Sequence, residues 1–153
     1  MLLSCGATKS VFDSKDISIL KSSMQTIHPG VRGAPSSVNY KIEVKIEKKG
    51  ITAFGNAQIF NKKGEEALWM DEIRVLKNKQ LYKGESLQKG DVLDLYVSRL
   101  IFHESEEFTE EKSSFIPLEN PEKAELLLIY YKGDKKKVVG LKGILVEETI
   151  YAP

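Results

Sequence analysis

The feature that most constrains this fold is a strict alternation of apolar and polar residues along positions 38–47. In an extended strand, successive side chains point to opposite faces of the sheet, so a period of two gives one apolar and one polar face. Such a strand is typical of an antiparallel sheet that packs against a core through one side. The apolar positions are Val38, Tyr40, Ile42, Val44 and Ile46.

Similar short segments, separated by turn residues, follow along the chain. Gly55 indicates a bulge or a close backbone approach within one of them. In another, Ile73 and Val75 are expected to face inward. Of the consecutive pair Tyr130 and Tyr131, one ring must leave the core, because neighbours on a strand face opposite sides. The predicted strands lie near residues 17–27, 51–60, 68–76, 91–101, 124–131 and 138–151.

Several short strands with a turn every 8 to 12 residues or so predict a sandwich or a barrel. We expect an all-β antiparallel sandwich of about seven strands, with an immunoglobulin-like arrangement as the leading architecture. Only the strand arrangement of that fold is expected, because the sequence has one cysteine and so lacks the cysteine pair of antibody domains. Trp69 is expected as a core anchor. A length of 153 residues suits a single domain.

Charge and cysteine content exclude several classes of function. The chain carries 23 basic and 22 acidic side chains, whereas a dedicated nucleic-acid binder normally shows a strong basic excess. We therefore expect no nucleic-acid partner. A single cysteine excludes an intramolecular disulfide and a zinc site built of several thiolates. No stretch approaches the roughly 20 apolar residues of a membrane-spanning helix.

The N-terminus reads MLLSCGATKS, with Leu2, Leu3, Ser4 and Cys5 ahead of a short polar stretch. These four residues resemble the lipobox of bacterial lipoproteins, in which the cysteine becomes the new N-terminus and carries lipid through a thioether. The resemblance implies lipidation at Cys5 and a membrane contact through that anchor. It also implies a place in the cell envelope, at the outer membrane or on the periplasmic face.

This interpretation divides the chain into an N-terminal tether, residues 1–15, and a β-sandwich domain, residues 16–153. A secretory signal needs a basic region and about 7 to 15 apolar residues before its processing site. The interpretation therefore predicts an in-frame basic and apolar stretch upstream of Met1.

The longest segment without periodicity, residues 103–123, is rich in glutamate. Long irregular loops often carry function, so this loop is the first candidate for partner binding. Calcium loops need alternating Asp or Asn and a glycine at the sharp turn; this segment lacks that pattern, and a solvated acidic loop is expected. A short helix is an alternative for residues 106–112. The candidate residues are His103, Glu104, Glu106, Glu107, Glu110 and Glu111.

The remaining chemistry-bearing residues give no local catalytic or metal motif. His28 and His103 are far apart without the spacing of zinc ligands. Both are expected as exposed loop histidines, and no cofactor is predicted. Ser18 and Lys21 match the S-x-x-K motif of penicillin-binding enzymes, but that mechanism needs further motifs that this sequence lacks.

Lysines gather at two predicted turns, at Lys62–Lys63 and within residues 132–137. Such clusters have two interpretations: contact with an anionic lipid or polyanion, or solubility and protection of sheet edges. An exposed tyrosine would mark a sugar or protein face, for which Tyr96, Tyr130 and Tyr131 are candidates.

These observations favour a non-enzymatic, envelope-associated lipoprotein with a binding or structural role and a protein or glycan partner. One alternative is a soluble accessory or protein-interaction β-domain in which Cys5 is unmodified. The other is an enzyme whose site is assembled from residues distant in the sequence.

Overall fold

The computed structural model describes residues 9–10, 14–101 and 115–152, which form two β-sheets packed on one another. The all-β sandwich predicted from the alternation is confirmed, and the described residues contain no helix. The strands are β1 (Lys9–Ser10), β2 (Ile17–His28), β3 (Ser36–Ile46), β4 (Ile51–Phe60), β5 (Ala67–Glu72), β6 (Arg74–Lys77), β7 (Gln80–Leu81), β8 (Val92–Ile101), β9 (Leu126–Lys132), β10 (Lys135–Lys142), β11 (Leu145–Val146) and β12 (Ile150–Tyr151).

The smaller sheet has five strands in the order β1-β10-β9-β4-β5, and all its neighbours are antiparallel. The larger sheet runs β11-β2-β3-β8-β6-β7, and β12 also pairs with β2. β11 and β12 run parallel to β2, whereas the other pairs of this sheet are antiparallel. The C-terminal chain therefore leaves the smaller sheet after β10 and closes an edge of the larger one.

The core lies between the sheets and follows the alternation of the sequence. On β3, Ile42 and Val44 are fully buried, and they face Leu95 and Leu93 across the β3–β8 ladder. Ile73 and Val75 point inward as predicted. Tyr130 is buried and Tyr131 is half-buried, so the outward ring of that pair is Tyr131.

Two predicted strands are wrong as single strands, because each changes sheets. Residues 68–76 divide into β5 and β6 at Ile73, whose N–H donates to the carbonyl of Gly55 at 3.0 Å. Residues 138–151 divide after β10, where Gly143 has a left-handed φ of 71°. Alternation cannot reveal such a change, because the inward positions stay apolar in either sheet.

The strand number also exceeds the predicted seven or so. The described residues form eight strands of four or more residues and four strands of two residues. One short strand, β1, lies inside the range expected as a tether, where Lys9 pairs with Lys142. Residues 1–8 and 11–13 lie outside the described residues, so the tether stays a prediction for them.

Trp69 is half-buried and packs against the edge of the core, so it is not at the centre of the core. Its ring meets Tyr40 edge-on at 6.0 Å between centroids, and the Arg99 guanidinium lies 5.4 Å from its centre. Trp69 comes from the smaller sheet and the other two residues come from the larger one. The three side chains therefore join the sheets along this side.

The outer face of the smaller sheet is covered by residues 115–124, the second half of the predicted long loop. Gln58 is 1% exposed and anchors this cover. Its Oε1 accepts the N–H of Leu118 at 3.0 Å, and its Nε2 donates to the carbonyl of Ile116 at 3.0 Å. Beneath the segment, Phe60 and Leu127 form a second buried cluster with Ala124.

Gly64 lies where the C-terminal end of segment 115–124 packs against the chain between β4 and β5. It has a left-handed φ of 69°, and a Cβ added there would lie 2.3 Å from the backbone of Lys123. Its carbonyl accepts a hydrogen bond from Asn120 Nδ2 at 2.9 Å, and the same side chain holds the N–H of Ala124 at 2.9 Å. Glycine is needed here for its conformation and for the close approach of two chain segments.

We predict that Gly64→Ala lowers the free energy of unfolding by about 3 kcal/mol, since it adds a backbone clash to left-handed strain. Gly133 is the matched control, with a φ of 63° and nothing within 4 Å of an added Cβ. Gly133→Ala is expected to cost about 1 kcal/mol. Urea unfolding measures both changes, and equal losses would contradict the close packing at Gly64.

Candidate functional site

A row of polar side chains crosses the outer face of the larger sheet. Ser23 on β2 pairs with Lys41 on β3, Lys41 pairs with Tyr96 on β8, and Tyr96 pairs with Arg74 on β6. Directly paired residues of antiparallel strands share one face. The two flanking rows are Gln25, Asn39 and Ser98 on one side and Lys21, Glu43 and Asp94 on the other.

A bulge in β2 turns the β2 residues of these rows, Lys21, Ser23 and Gln25, toward the outer face. The β2–β3 register shifts between Ile19 and Lys21. Before the shift, odd-numbered residues such as Ile17 face the core; after it, the even-numbered Ser22 is buried there. Without the extra residue, Lys21 and Ser23 would point into the core.

Most residues of these rows line a groove of about 410 Å³. One wall comes from the chain after β11. The N–H of Glu147 donates to the carbonyl of Met24 at 2.8 Å, and Gln25 Nε2 donates to the carbonyl of Glu148 at 2.9 Å. The lining residues are Lys21, Ser23, Gln25, Asn39, Tyr40, Lys41, Glu43, Tyr96 and Glu147.

The amide side chains of the groove are held by hydrogen bonds to neighbouring residues, and each still has a donor and an acceptor to offer a ligand. Asn39 Nδ2 donates to Ser37 Oγ at 3.0 Å, while Asn39 Oδ1 accepts from Ser98 Oγ at 2.8 Å. A primary amide has two N–H donors and two acceptor lone pairs. Asn39 and Gln25 therefore each present a further donor and acceptor in a fixed orientation, which lowers the entropy cost of binding.

Tyr96 lies between two cations in the central row. Lys41 Nζ is 5.9 Å from the ring centroid, and the Arg74 guanidinium carbon is 5.8 Å from it. Cation–π attraction at these distances holds the ring and both long side chains together. The Tyr96 ring is thereby held, half-buried, at the border of a polar groove.

The charges along the groove balance. Lys21 and Lys41 contribute two positive charges, and Glu43 and Glu147 contribute two negative charges. A lining of this kind offers hydrogen-bond donors and acceptors without a net charge. It favours an uncharged polar ligand over an anion or a cation.

A second cluster closes one end of the sandwich around Asp16. Asp16 is 4% exposed, and its Oδ1 accepts from Lys132 Nζ at 2.9 Å. Its Oδ2 accepts from the Tyr130 hydroxyl at 2.8 Å and lies 3.7 Å from Lys137 Nζ. The Tyr130 hydroxyl also lies 2.8 Å from Ser14 Oγ. Because that hydroxyl gives its one proton to Asp16, Ser14 is the donor in the second bond.

The backbone of Asp16 joins the same cluster to the β3–β4 turn. Its carbonyl accepts the N–H of Glu47 at 2.8 Å and the N–H of Lys48 at 3.2 Å. Asp16 therefore connects three parts of the chain: the segment before β2, the turn between the sheets, and the β9–β10 hairpin.

The protonation states of the cluster follow from these contacts. Burial alone would raise the pKa of the Asp16 carboxyl, but hydrogen bonds from Lys132 and Tyr130 and the charges of Lys132 and Lys137 lower it below its ordinary 3.8. Burial, together with the adjacent carboxylate, raises the pKa of Tyr130 to about 12. At neutral pH the carboxyl is therefore ionised, and the phenol is a donor.

The site residues predicted from the sequence lie outside the described residues. These are Cys5 and the acidic loop residues His103, Glu104, Glu106, Glu107, Glu110 and Glu111. The expectation that His28 lies in an exposed loop is wrong. His28 ends β2, is half-buried, stacks on Tyr151 at 5.0 Å between centroids and bonds Ser36 Oγ at 2.5 Å.

Tyr96 was predicted from the sequence as a candidate face residue, whereas its partners and the Asp16 cluster were not predicted. The alternation along β3 does indicate which residues face outward, and these include Asn39, Lys41 and Glu43. No sequence pattern indicates the role of Asp16, because its side-chain partners Tyr130 and Lys132 lie more than 110 positions away.

Among the described residues, no group of three or more His, Cys, Asp or Glu side chains is placed to hold a metal ion. Within the same ranges, no helix has the length and apolar character needed to cross a membrane. Comparisons with protein-family models, curated proteins and solved structures find no match.

We predict that Asp16→Asn lowers the free energy of unfolding at pH 7 by about 2 to 3 kcal/mol, because it leaves Lys132 and Lys137 without their counter-charge. A carboxyl whose pKa is lowered in the folded state stabilises the fold above its unfolded pKa, near 4. This contribution disappears as the pH falls through the lower folded value. The deficit of the variant should therefore shrink below pH about 4.

Urea unfolding between pH 7 and pH 2.5 measures this deficit. Asp134→Asn is the matched control, since Asp134 is an exposed residue of the nearby hairpin tip; it should change stability by less than about 0.5 kcal/mol. A deficit for Asp16→Asn that stayed constant into acid would contradict the assigned ion pairs.

Proposed function

We propose that this chain is a non-enzymatic binding module of the cell envelope that recognises a neutral oligosaccharide in the groove of the larger sheet. The observation that supports this best is the composition of the groove. Side chains from β2, β3 and β8 offer donors and acceptors with balanced charge, beside the ring of Tyr96, which Lys41 and Arg74 hold.

Sugar chemistry matches this surface. Each sugar hydroxyl both donates and accepts, so a saccharide needs amide and ammonium donors together with carboxylate and amide acceptors. Gln25 and Asn39 supply fixed amides, Lys41 supplies a donor and Glu43 an acceptor. The ring of Tyr96 supplies the apolar contact for the carbon skeleton. The groove volume of about 410 Å³ lies in the range of small-molecule sites.

The lipid anchor at Cys5 belongs to the same proposal. The described chain begins with Lys9 paired to Lys142, at the end of the smaller sheet opposite the β9–β10 hairpin. Three residues separate Cys5 from Lys9. A lipid on Cys5 would keep that end of the sandwich near the membrane and leave the outer face of the larger sheet accessible. An immunoglobulin-like strand arrangement is likewise part of the proposal.

We predict that the protein binds at least one of three neutral probes, cellotetraose, maltotetraose or chitotetraose, and that Tyr96→Ala weakens the binding at least tenfold. A tenfold loss corresponds to about 1.4 kcal/mol, the scale of one aromatic contact. Isothermal titration calorimetry gives the affinities. Backbone amide shifts should change on β2, β3 and β8.

Tyr131→Ala is the matched control, because Tyr131 is a half-buried tyrosine on the other sheet; it should bind within twofold of the parent. Failure of all three probes to bind, or equal losses in both variants, contradicts the oligosaccharide proposal. Cleavage of a bound probe that Glu43→Gln or Glu147→Gln abolishes would replace the binding module with the enzyme alternative.

We predict that the protein isolated from its own cells begins at Cys5 and carries a thioether-linked lipid, which intact-mass spectrometry would show. Cys5→Ser should abolish the added mass and release the protein from the membrane fraction. Ser10→Ala, a similar small change beyond the lipobox, should leave both unchanged. A chain that keeps Met1 and has no added mass contradicts the anchor and favours the soluble alternative.

A further inference from the structure

A second cleft, at the Asp16 end of the sandwich, has a different charge balance from the groove. It encloses about 270 Å³ and is lined by four lysines, Lys15, Lys48, Lys132 and Lys137, with Asp16 as its one acidic side chain. The lining therefore carries three positive charges in excess. We refer to these five residues as the lysine pocket.

Asp16 organises two of the lysines without using up their donors. Lys132 Nζ gives one hydrogen bond to Oδ1 at 2.9 Å, and an ammonium group has three N–H donors. Lys137 Nζ stands 3.7 Å from Oδ2, beyond the range of a good hydrogen bond. The side chains of Lys132 and Lys137 are 33% and 41% exposed, and both line the cleft.

The carboxylate cannot neutralise the pocket further. Asp16 is 4% exposed and already accepts bonds from Lys132 and Tyr130. The two other lysines come from separate chain segments: Lys15 precedes β2 and Lys48 lies in the β3–β4 turn. Both are exposed. In the described part of the chain, neither forms an ion pair with a carboxylate within 4.0 Å.

We propose that the lysine pocket binds the phosphate or sulfate group of an anionic ligand. A tetrahedral oxyanion presents acceptor oxygens in several directions, which suits lysine side chains that line one cleft from four positions of the chain. A phosphate monoester carries about two negative units and so matches the excess better than a carboxylate or a sulfate ester, each of which carries one. The groove and the lysine pocket thus bind ligands of different chemistry and are independent sites.

The test is a titration of the whole protein with sodium phosphate and with sodium sulfate at constant ionic strength, followed by backbone amide shifts. We expect saturable shifts at Lys48, Lys132 and Lys137. Lys48→Gln should weaken binding at least fivefold and leaves the Asp16 ion pairs intact, so it separates binding from folding. Lys137→Gln should have a similar effect.

Lys62→Gln is the matched control, because Lys62 is an exposed lysine in another turn; it should leave the affinity within twofold. A second arm uses vesicles of phosphatidylcholine with and without 30% phosphatidylglycerol. Binding to the charged vesicles that Lys48→Gln removes identifies a lipid headgroup as the source; saturable phosphate binding without vesicle binding identifies a soluble ligand. Unsaturable shifts without vesicle binding, or equal losses with Lys62→Gln and Lys48→Gln, overturn the proposal.

Discussion

At one end of the sandwich, the arrangement of the two sheets depends on the hydrogen bonds and ion pairs of the buried Asp16 carboxylate. A sandwich core is open at its ends, and a charge placed there is tolerated only with partners. Asp16 accepts bonds from Lys132 and Tyr130 of β9, while its carbonyl holds the N–H groups of Glu47 and Lys48. One residue thereby fixes the start of β2, the crossover from β3 to β4 and the β9–β10 hairpin.

Correct placement of β2 has a direct consequence for the groove. β2 carries Ser23 and Gln25 into the polar rows, and the bulge after Ile19 turns them outward. The parallel pairing of β11 with β2 then brings Glu147 to the groove wall. The groove is therefore a product of tertiary structure, although most of its residues lie on regular strands. Its balanced charge contrasts with the three excess positive charges of the lysine pocket.

The part of the fold that could be predicted from the sequence is the part controlled by local alternation. β4 matches the predicted 51–60, and the bulge expected at Gly55 appears as a register shift between Phe54 and Ala57 on the β4–β9 ladder. The changes of sheet at Ile73 and Gly143 were not predictable, because an inward position is apolar whichever sheet it belongs to. The Asp16 cluster was not predictable either, since a single aspartate gives no sign of partners so distant in sequence.

The position proposed for a neutral saccharide is the outer face of the larger sheet, over β2, β3 and β8. Intermolecular nuclear Overhauser effects between a bound tetrasaccharide and selectively labelled tyrosine rings test this position most directly. We expect contacts from sugar protons to the Tyr96 ring and none to Tyr131. Contacts to Tyr131, or a bound sugar without contacts to Tyr96, would contradict it.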